Sequence, residues 1–258
     1  MKILIAGGCS FTFEEWNWPS YVSDHYGWIL NNTGIGSSDN GLISRRIIYN
    51  VETALKGFNR DDIIVGIMWS GINRHSIYKN NARFVGNIDG WSENPTHVFP
   101  GEKNWIILNS HWKIPEATNW YRYVHDEKGA IVQTLENILR VQWYLKSRGV
   151  RYFMTTFTDI FCTDLGNETS LCSLEIKQQN RFIIESCKEI MFLLDMVDFS
   201  KFLPVPGCYE WVYENYRDNG GFNSPDSSGY VGIHPTSKGH ESFSKEIIIP
   251  FINELYFS

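Results

Sequence analysis

Short apolar runs alternate along the chain with stretches in which apolar residues recur at helical spacing. The first run, Lys2 to Ala6, passes into Gly7-Gly8 and then Cys9-Ser10-Phe11-Thr12. A buried parallel strand ends this way before a tight turn, which predicts Ser10 at the carboxyl edge of a sheet. Phe13 to Tyr26 reads as a loop and a short helix ending near Gly27, and Trp28 to Thr33 as a second strand. A glycine turn follows, Gly34 to Asn40. Ile43, Ile47, Ile48, Val51 and Leu55 then mark a helix, with Ser38 or Asp39 as its N-cap and Gly57 as its stop. Asp61 to Trp69 is a continuous apolar strand of the kind covered by helices on both faces, and it delivers Ser70 to Arg74 to the same edge.

From His75 to about Lys128 neither period is clean, while Trp91, Trp105, Trp112, Trp120, Tyr121 and Tyr123 are interleaved with Asn, Pro and Gly. So long a weakly regular stretch reads as a functional insertion, at about 75–128, in one domain spanning 1–258. Helical spacing returns from Ile131 to Leu145, closed by Gly149, and Val150 to Phe157 is the next strand. Ile176 to Leu194 predicts a further helix, Met196 to Phe199 a last short strand, and Pro204 to Tyr230 an irregular stretch. A helix from about Ser237 leads into an apolar tail that Pro250 must break or restart. The alternation implies right-handed crossovers and a parallel sheet. Ser10, the Gly34 to Asn40 turn, Asn73 and His234 would then meet at one edge, where open α/β sheets bind ligands.

Composition narrows the function. The net charge is -6 and the basic residues are scattered, which argues against a nucleic-acid partner. Aromatic residues make up 15% of the chain, ten of them Trp, which suggests a surface that stacks on flat or sugar-like faces unless the core absorbs them. Five cysteines without a C-x-x-C spacing indicate neither a disulfide framework nor a zinc site. No apolar run approaches a membrane span and the N-terminal run is too short for a signal peptide, so a soluble cytoplasmic protein with no membrane partner is expected. The composition says nothing of oligomeric state. No cofactor is expected either. Asp39 stands where a dinucleotide fingerprint needs its third glycine, no P-loop Lys-Ser/Thr occurs, and His240-Glu241 lacks the second histidine of a zinc protease. His240 itself reads as a helix-surface residue.

A serine hydroxyl becomes a nucleophile when a base lies within hydrogen-bond reach, and His234 in Gly232-Ile233-His234-Pro235-Thr236 is the candidate base. Attack on an acyl carbonyl also needs donors for the oxyanion, for which the backbone N–H groups of Ser10 and Gly36 and the amide of Asn73 are suited. Gly36 can equally be a turn glycine, and Asn73 a loop cap.

The order of these blocks resembles the SGNH (GDSL-type) esterase and lipase family, with its strand-end G-D-S, a glycine after the second strand, G-x-N-D after the third and D-x-x-H-P before the last helix. The resemblance implies a three-layer α/β/α sandwich with a flavodoxin-like parallel sheet. It implies Ser10 as nucleophile, His234 as general base and Gly36 and Asn73 in the oxyanion hole. Three positions depart from the pattern. Cys9 replaces the Asp of G-D-S, Arg74 replaces the Asp after the Asn, and Val231 stands where the triad Asp belongs. Asp226 could supply that carboxylate from the preceding loop, or a backbone carbonyl could orient the ring. Arg74 could hold an anionic substrate group or pair with Glu14 or Glu15. The expected activity is hydrolysis of a carboxylic ester, such as an acetylated sugar, through an acyl-enzyme without metal or cofactor. The alternatives are a glycan-binding module on a degraded hydrolase fold, using Trp91, Trp105, Trp112 and Trp120, and an acyltransferase on the same fold.

Overall fold

The computed structural model describes residues 1–13, 15–78, 104–110, 114–162, 174–222 and 234–257, with the backbone alone for 174–177. Four parallel strands form the central sheet: β1 (Ile3–Gly7), β2 (Ile29–Asn32), β3 (Ile63–Trp69) and β6 (Arg151–Thr156). They lie in the order β2-β1-β3-β6, with Gly7 beside Ile67 and Ile67 beside Met154. This is the flavodoxin-like arrangement expected, and it puts β1 and β3 in the middle.

Alternating side chains of these strands feed two separate cores. Ile3, Ile5, Ile63, Val65 and Ile67 face one side, against Ile43, Ile47 and Val51 of α3 (Asn40–Ala54), Ile138 and Leu145 of α5 (Glu127–Arg148) and Ile190 of α7 (Lys188–Asp195). Leu4, Ala6, Ile64 and Met68 face the other. There they meet Trp18 and Val22 of α2 (Trp18–Tyr26), Tyr209 and Val212 of α8 (Cys208–Tyr216), Phe243 of α9 (Ser237–Phe243) and Ile252 of α10 (Ile249–Phe257). Three layers result. Asp39, not Ser38, caps α3 by accepting from the Leu42 N–H at 3.0 Å. Gly149 ends α5 in the left-handed region, at φ 65°.

Four sequence expectations are corrected. The stretch at 75–128 is regular at both ends. β4 (Arg74–Tyr78) and β5 (Trp105–Asn109) pair antiparallel with Arg74 opposite Asn109, and α4 (Pro115–Tyr123) packs beside them with its Ala117 against Ile106 and Leu108. Residues 79–103 and 111–113 lie outside the described residues. The single helix expected from Ile176 to Leu194 is two, α6 (Leu174–Ser186) and α7, broken at Cys187 with φ -101° and ψ 108°. Ile184 and Ile190 both enter the core. Six residues apart on a straight helix they would point about 120° from each other, and the bend at Cys187 lets both face the core.

Met196 to Phe199 forms no strand because its backbone is bonded elsewhere. Gln142 of α5 donates to the Met196 carbonyl at 2.9 Å and accepts from the Asp198 N–H at 2.7 Å. The chain pairs with β6 at Phe202, through a single bridge to Met154, and the Leu203 N–H donates to the Met154 carbonyl at 2.9 Å. The stretch from Pro204 contains α8, whose Tyr209, Val212, Tyr213 and Tyr216 carry a helical spacing. At the C-terminal end, a π turn (Ser244–Ile248) joins α9 to α10. Pro250 has no N–H to return to the preceding turn, and the wider turn absorbs that missing bond.

Candidate active site

Ser10 is the first residue of the short helix α1 (Ser10–Phe13), directly beyond the end of β1. The turn is tight enough to require glycine at position 8, where a Cβ would stand 2.9 Å from the Met68 carbonyl and closer still to the Thr12 hydroxyl. Thr12 and Phe13 donate their N–H groups to the Cys9 carbonyl, and the Asn17 side chain donates to the Ser10 carbonyl at 2.8 Å. Being first in its helix, Ser10 has an N–H with no carbonyl of that helix to bond. Its side chain is buried, with 7% of the residue exposed.

His234 reaches the same point from the other end of the chain. Its Nε2 lies 2.7 Å from the Ser10 Oγ. Thr236 anchors the approach by capping α9, accepting from the Gly239 N–H at 3.2 Å and donating to the Gly220 carbonyl at 2.6 Å. Phe11 flanks the pair, its ring centre 5.0 Å from that of His234 and 5.0 Å from that of Phe157. His234 as a residue is exposed to solvent. Partial burial, and then the Arg74 charge, push its pKa below the ordinary value of 6.5.

The turn expected to carry Gly36 is stitched to the Ser10 turn. The Thr33 N–H donates to the Ala6 carbonyl at 2.7 Å, the Ile35 N–H to the Gly8 carbonyl at 3.1 Å, and the Asn32 side chain to the Thr12 carbonyl at 2.6 Å. Gly36 is buried within this turn. Ser37 beside it adopts φ 60°. The turn after β3 is held differently. Asn40, at the start of α3, makes two bonds to the backbone of Ser70, accepting from its N–H at 2.7 Å and donating to its carbonyl at 3.0 Å. The Tyr121 hydroxyl bonds the Asn73 carbonyl at 2.7 Å. Asn73 is exposed in the turn so fixed.

Arg74 donates to the Ser70 Oγ at 2.8 Å and stands 5.4 Å from the Phe157 ring centre. Among the described residues it forms no ion pair, so the expected alternative with Glu15 is not realised. Glu14, Asp226 and Val231 lie outside the described residues. Among the described residues no carboxylate bonds the Nδ1 of His234.

Asn40, Tyr121 and Phe157 are parts of this site that sequence reasoning missed. Asn40 and Tyr121 carry no local signal because their partners are 30 and 48 residues away. His240 is a correction. It is 1% exposed, not on the helix surface, because the first turn of α9 packs inward, with its ring perpendicular to Phe11 at 6.1 Å. Its Nδ1 has no partner among the described residues. The tryptophans expected to stack on sugars are engaged within the fold where they are described. The Arg45 guanidinium lies 3.6 Å from the Trp105 ring centre, and Trp120 packs on Ile106, Leu108 and Ala117 beside His75. Trp91 and Trp112 lie outside the described residues. Among the described residues, no helix is long and apolar enough to cross a membrane, and no cluster of three or more His, Cys, Asp or Glu could hold a metal ion.

A family model described as a family of unknown function (DUF6071) matches residues 9–183. No curated protein matches the chain at a significant level. Among solved structures, similar chain paths occur in a protein described as lipolytic, of the G-D-S-L family, from Desulfitobacterium hafniense, at 11% identity and TM-score 0.45, covering 95% of this chain and 97% of that one. A member of the lipolytic G-D-S-L family from Veillonella parvula is similar at 10% identity and TM-score 0.45, covering 100% and 99%. An acetyl xylan esterase is similar at 11% identity and TM-score 0.42, covering 94% and 96%. At this level of similarity the chemistry of the chain has to be read from its own residues.

Proposed function

The chain belongs to DUF6071, a family of unknown function, and we propose that it is a serine hydrolase of the SGNH type that cleaves a carboxylic ester through an acyl-enzyme. The observation that carries this reading is the 2.7 Å approach of the His234 Nε2 to the Ser10 Oγ. At that distance the imidazole takes the hydroxyl proton as the oxygen attacks the ester carbonyl, then returns it to the leaving alcohol. Water, activated by the same ring, releases the acid. The N–H of Ser10, the N–H of Gly36 and the amide of Asn73 are the proposed donors to the oxyanion, and each such donor is worth about a hundredfold to a thousandfold in turnover.

A lowered His234 pKa supports this role, because the ring is then neutral and able to accept a proton at neutral pH. A glycan-binding module has no use for a serine aligned on an imidazole, and the packing of Trp105 and Trp120 weakens the case for sugar stacking. The acyl group and the alcohol are therefore not assigned to a carbohydrate. Hydrolysis of para-nitrophenyl acetate by the full chain, compared with Ser10→Ala, tests the reaction. The expected loss is about a thousandfold or more in kcat. Equal specific activity in the two proteins would overturn the reading.

A further inference from the structure

Arg74 is the feature of the site that a general ester hydrolase does not need. A carboxylate in its place would favour the imidazolium that forms when His234 takes the Ser10 proton. A guanidinium does the opposite. Its charge already acts on His234. A fixed cation beside a base that must become a cation is a cost unless something negative arrives with the substrate.

The side chain is placed for such an arrival. One Nη is committed to the Ser70 Oγ, a neutral partner, and the flat group stands near the Phe157 ring. Phe157 in turn touches Phe11, which flanks both Ser10 and His234. The guanidinium is half-buried and, among the described residues, bonded to no carboxylate. Two bonds from Asn40 to Ser70, and one from Tyr121 to Asn73, fix the turn that carries it. A half-buried Arg held this firmly, with no carboxylate partner among the described residues, leaves its remaining N–H edges for an anion, the geometry that suits a carboxylate best.

We propose that the ester substrate carries a carboxylate, bound by Arg74 next to the Ser10 and His234 pair, and that this negative charge offsets the field of Arg74 at the imidazole. The inference rests on the hydrolase reading. A single guanidinium balances one negative charge, so a monoanion fits better than the dianion of a phosphate monoester. The bound carboxylate cancels the field of Arg74 at His234 while the substrate is present, and the imidazolium is then formed without that penalty. An empty site keeps the penalty, so a neutral ester is turned over at a disadvantage.

Two esters with the same scissile bond, one ending in a carboxylate and the other in its neutral methyl ester, test this: para-nitrophenyl hydrogen succinate and para-nitrophenyl methyl succinate. The full chain should prefer the anionic ester by about tenfold or more in kcat/KM, equivalent to about 1.4 kcal/mol. In Arg74→Gln the ratio should fall to about one or below, and in Arg74→Lys it should recover in part. Matching circular dichroism melts show that the variants fold. A ratio of one or less in the parent protein, or an unchanged ratio in Arg74→Gln, overturns the proposal. Ser10-dependent hydrolysis of the methyl ester in that case leaves the hydrolase reading standing, whereas equal activity in Ser10→Ala removes that reading itself. Calorimetric binding of the non-hydrolysable anilide of succinic acid to Ser10→Ala protein reads the same preference without turnover. Binding of this anion by Ser10→Ala, lost when Arg74→Gln is added, supports the proposal. Equal binding of its methyl ester counts against it.

Discussion

An imidazole flanked by a guanidinium is a weaker base than one flanked by a carboxylate, and His234 is in the first position. Its depressed pKa keeps the ring neutral to a lower pH than usual. The acid limb of kcat/KM for a neutral ester should therefore have its midpoint below the ordinary imidazole value of about 6.5. Arg74→Gln removes one of the two causes and should move that midpoint upward, towards 6.5. A midpoint at or above 6.5 in the parent, or no movement in the variant, would contradict the electrostatics described. At this scale the sequence was legible where chemistry has a local signature. Ser10 follows a glycine pair at a strand end, and His234 precedes a proline and a capping threonine. Asn40 has no such signature, since its effect depends on a backbone 30 residues away. A triad acid had no spacing to name it, because Val231 stands at the expected position, and the alternative candidate Asp226 lies outside the described residues.

Elements are set by how their side chains meet neighbours, and β3 shows this. Gly66 lies in the middle of a strand, where glycine weakens the intrinsic preference for extended backbone. A Cβ at this position would fall 2.5 Å from the Phe153 ring and 2.7 Å from the Trp18 indole, both fully buried. Gly66→Ala should therefore lose about 1–3 kcal/mol of stability by overpacking, measured as a lower midpoint in guanidinium unfolding at an unchanged slope. A gain in stability would show that the two rings move aside freely. The central strands were readable because a strand buried on both faces is apolar throughout. Met196 to Phe199 is apolar apart from Asp198, yet Gln142 takes its backbone groups before β6 can. The β4 and β5 pair was missed because it borders on only two small satellite cores, around Leu42 and Ile107 on one side and Ile106 and Leu108 on the other, which leaves a weak alternation in sequence.

At the scale of the whole molecule, stability should depend on pH through a residue that takes no part in the proposed chemistry. Burial first, and the proximity of His234 second, hold the His240 pKa at about 3. The unfolded chain binds a proton at this residue below about 6.5, and the folded chain refuses it until about 3. Folding stability should thus decline as pH falls from about 6.5 towards 3. His240→Met, which keeps an apolar group of similar bulk, should flatten that decline. Thermal midpoints between pH 7 and pH 4 that fall in parallel in both proteins would show that His240 is not the source. The two-core architecture was legible as a class from the alternation of strands and helices, since a parallel sheet has to be covered on both faces.

Ser10 and His234 are separated by 224 positions, and β1, which aims the serine, is already flanked by β2 and β3 when less than a third of the chain has been laid down. A polypeptide emerging from the ribosome can therefore assemble the middle of its sheet long before its imidazole exists. On the proposed hydrolase reading, the Ser10 hydroxyl waits without a proton acceptor until the segment leading into α9 is in place. Competence would then be acquired in one late step of assembly, and a chain interrupted short of His234 should be inert however well its first half has folded.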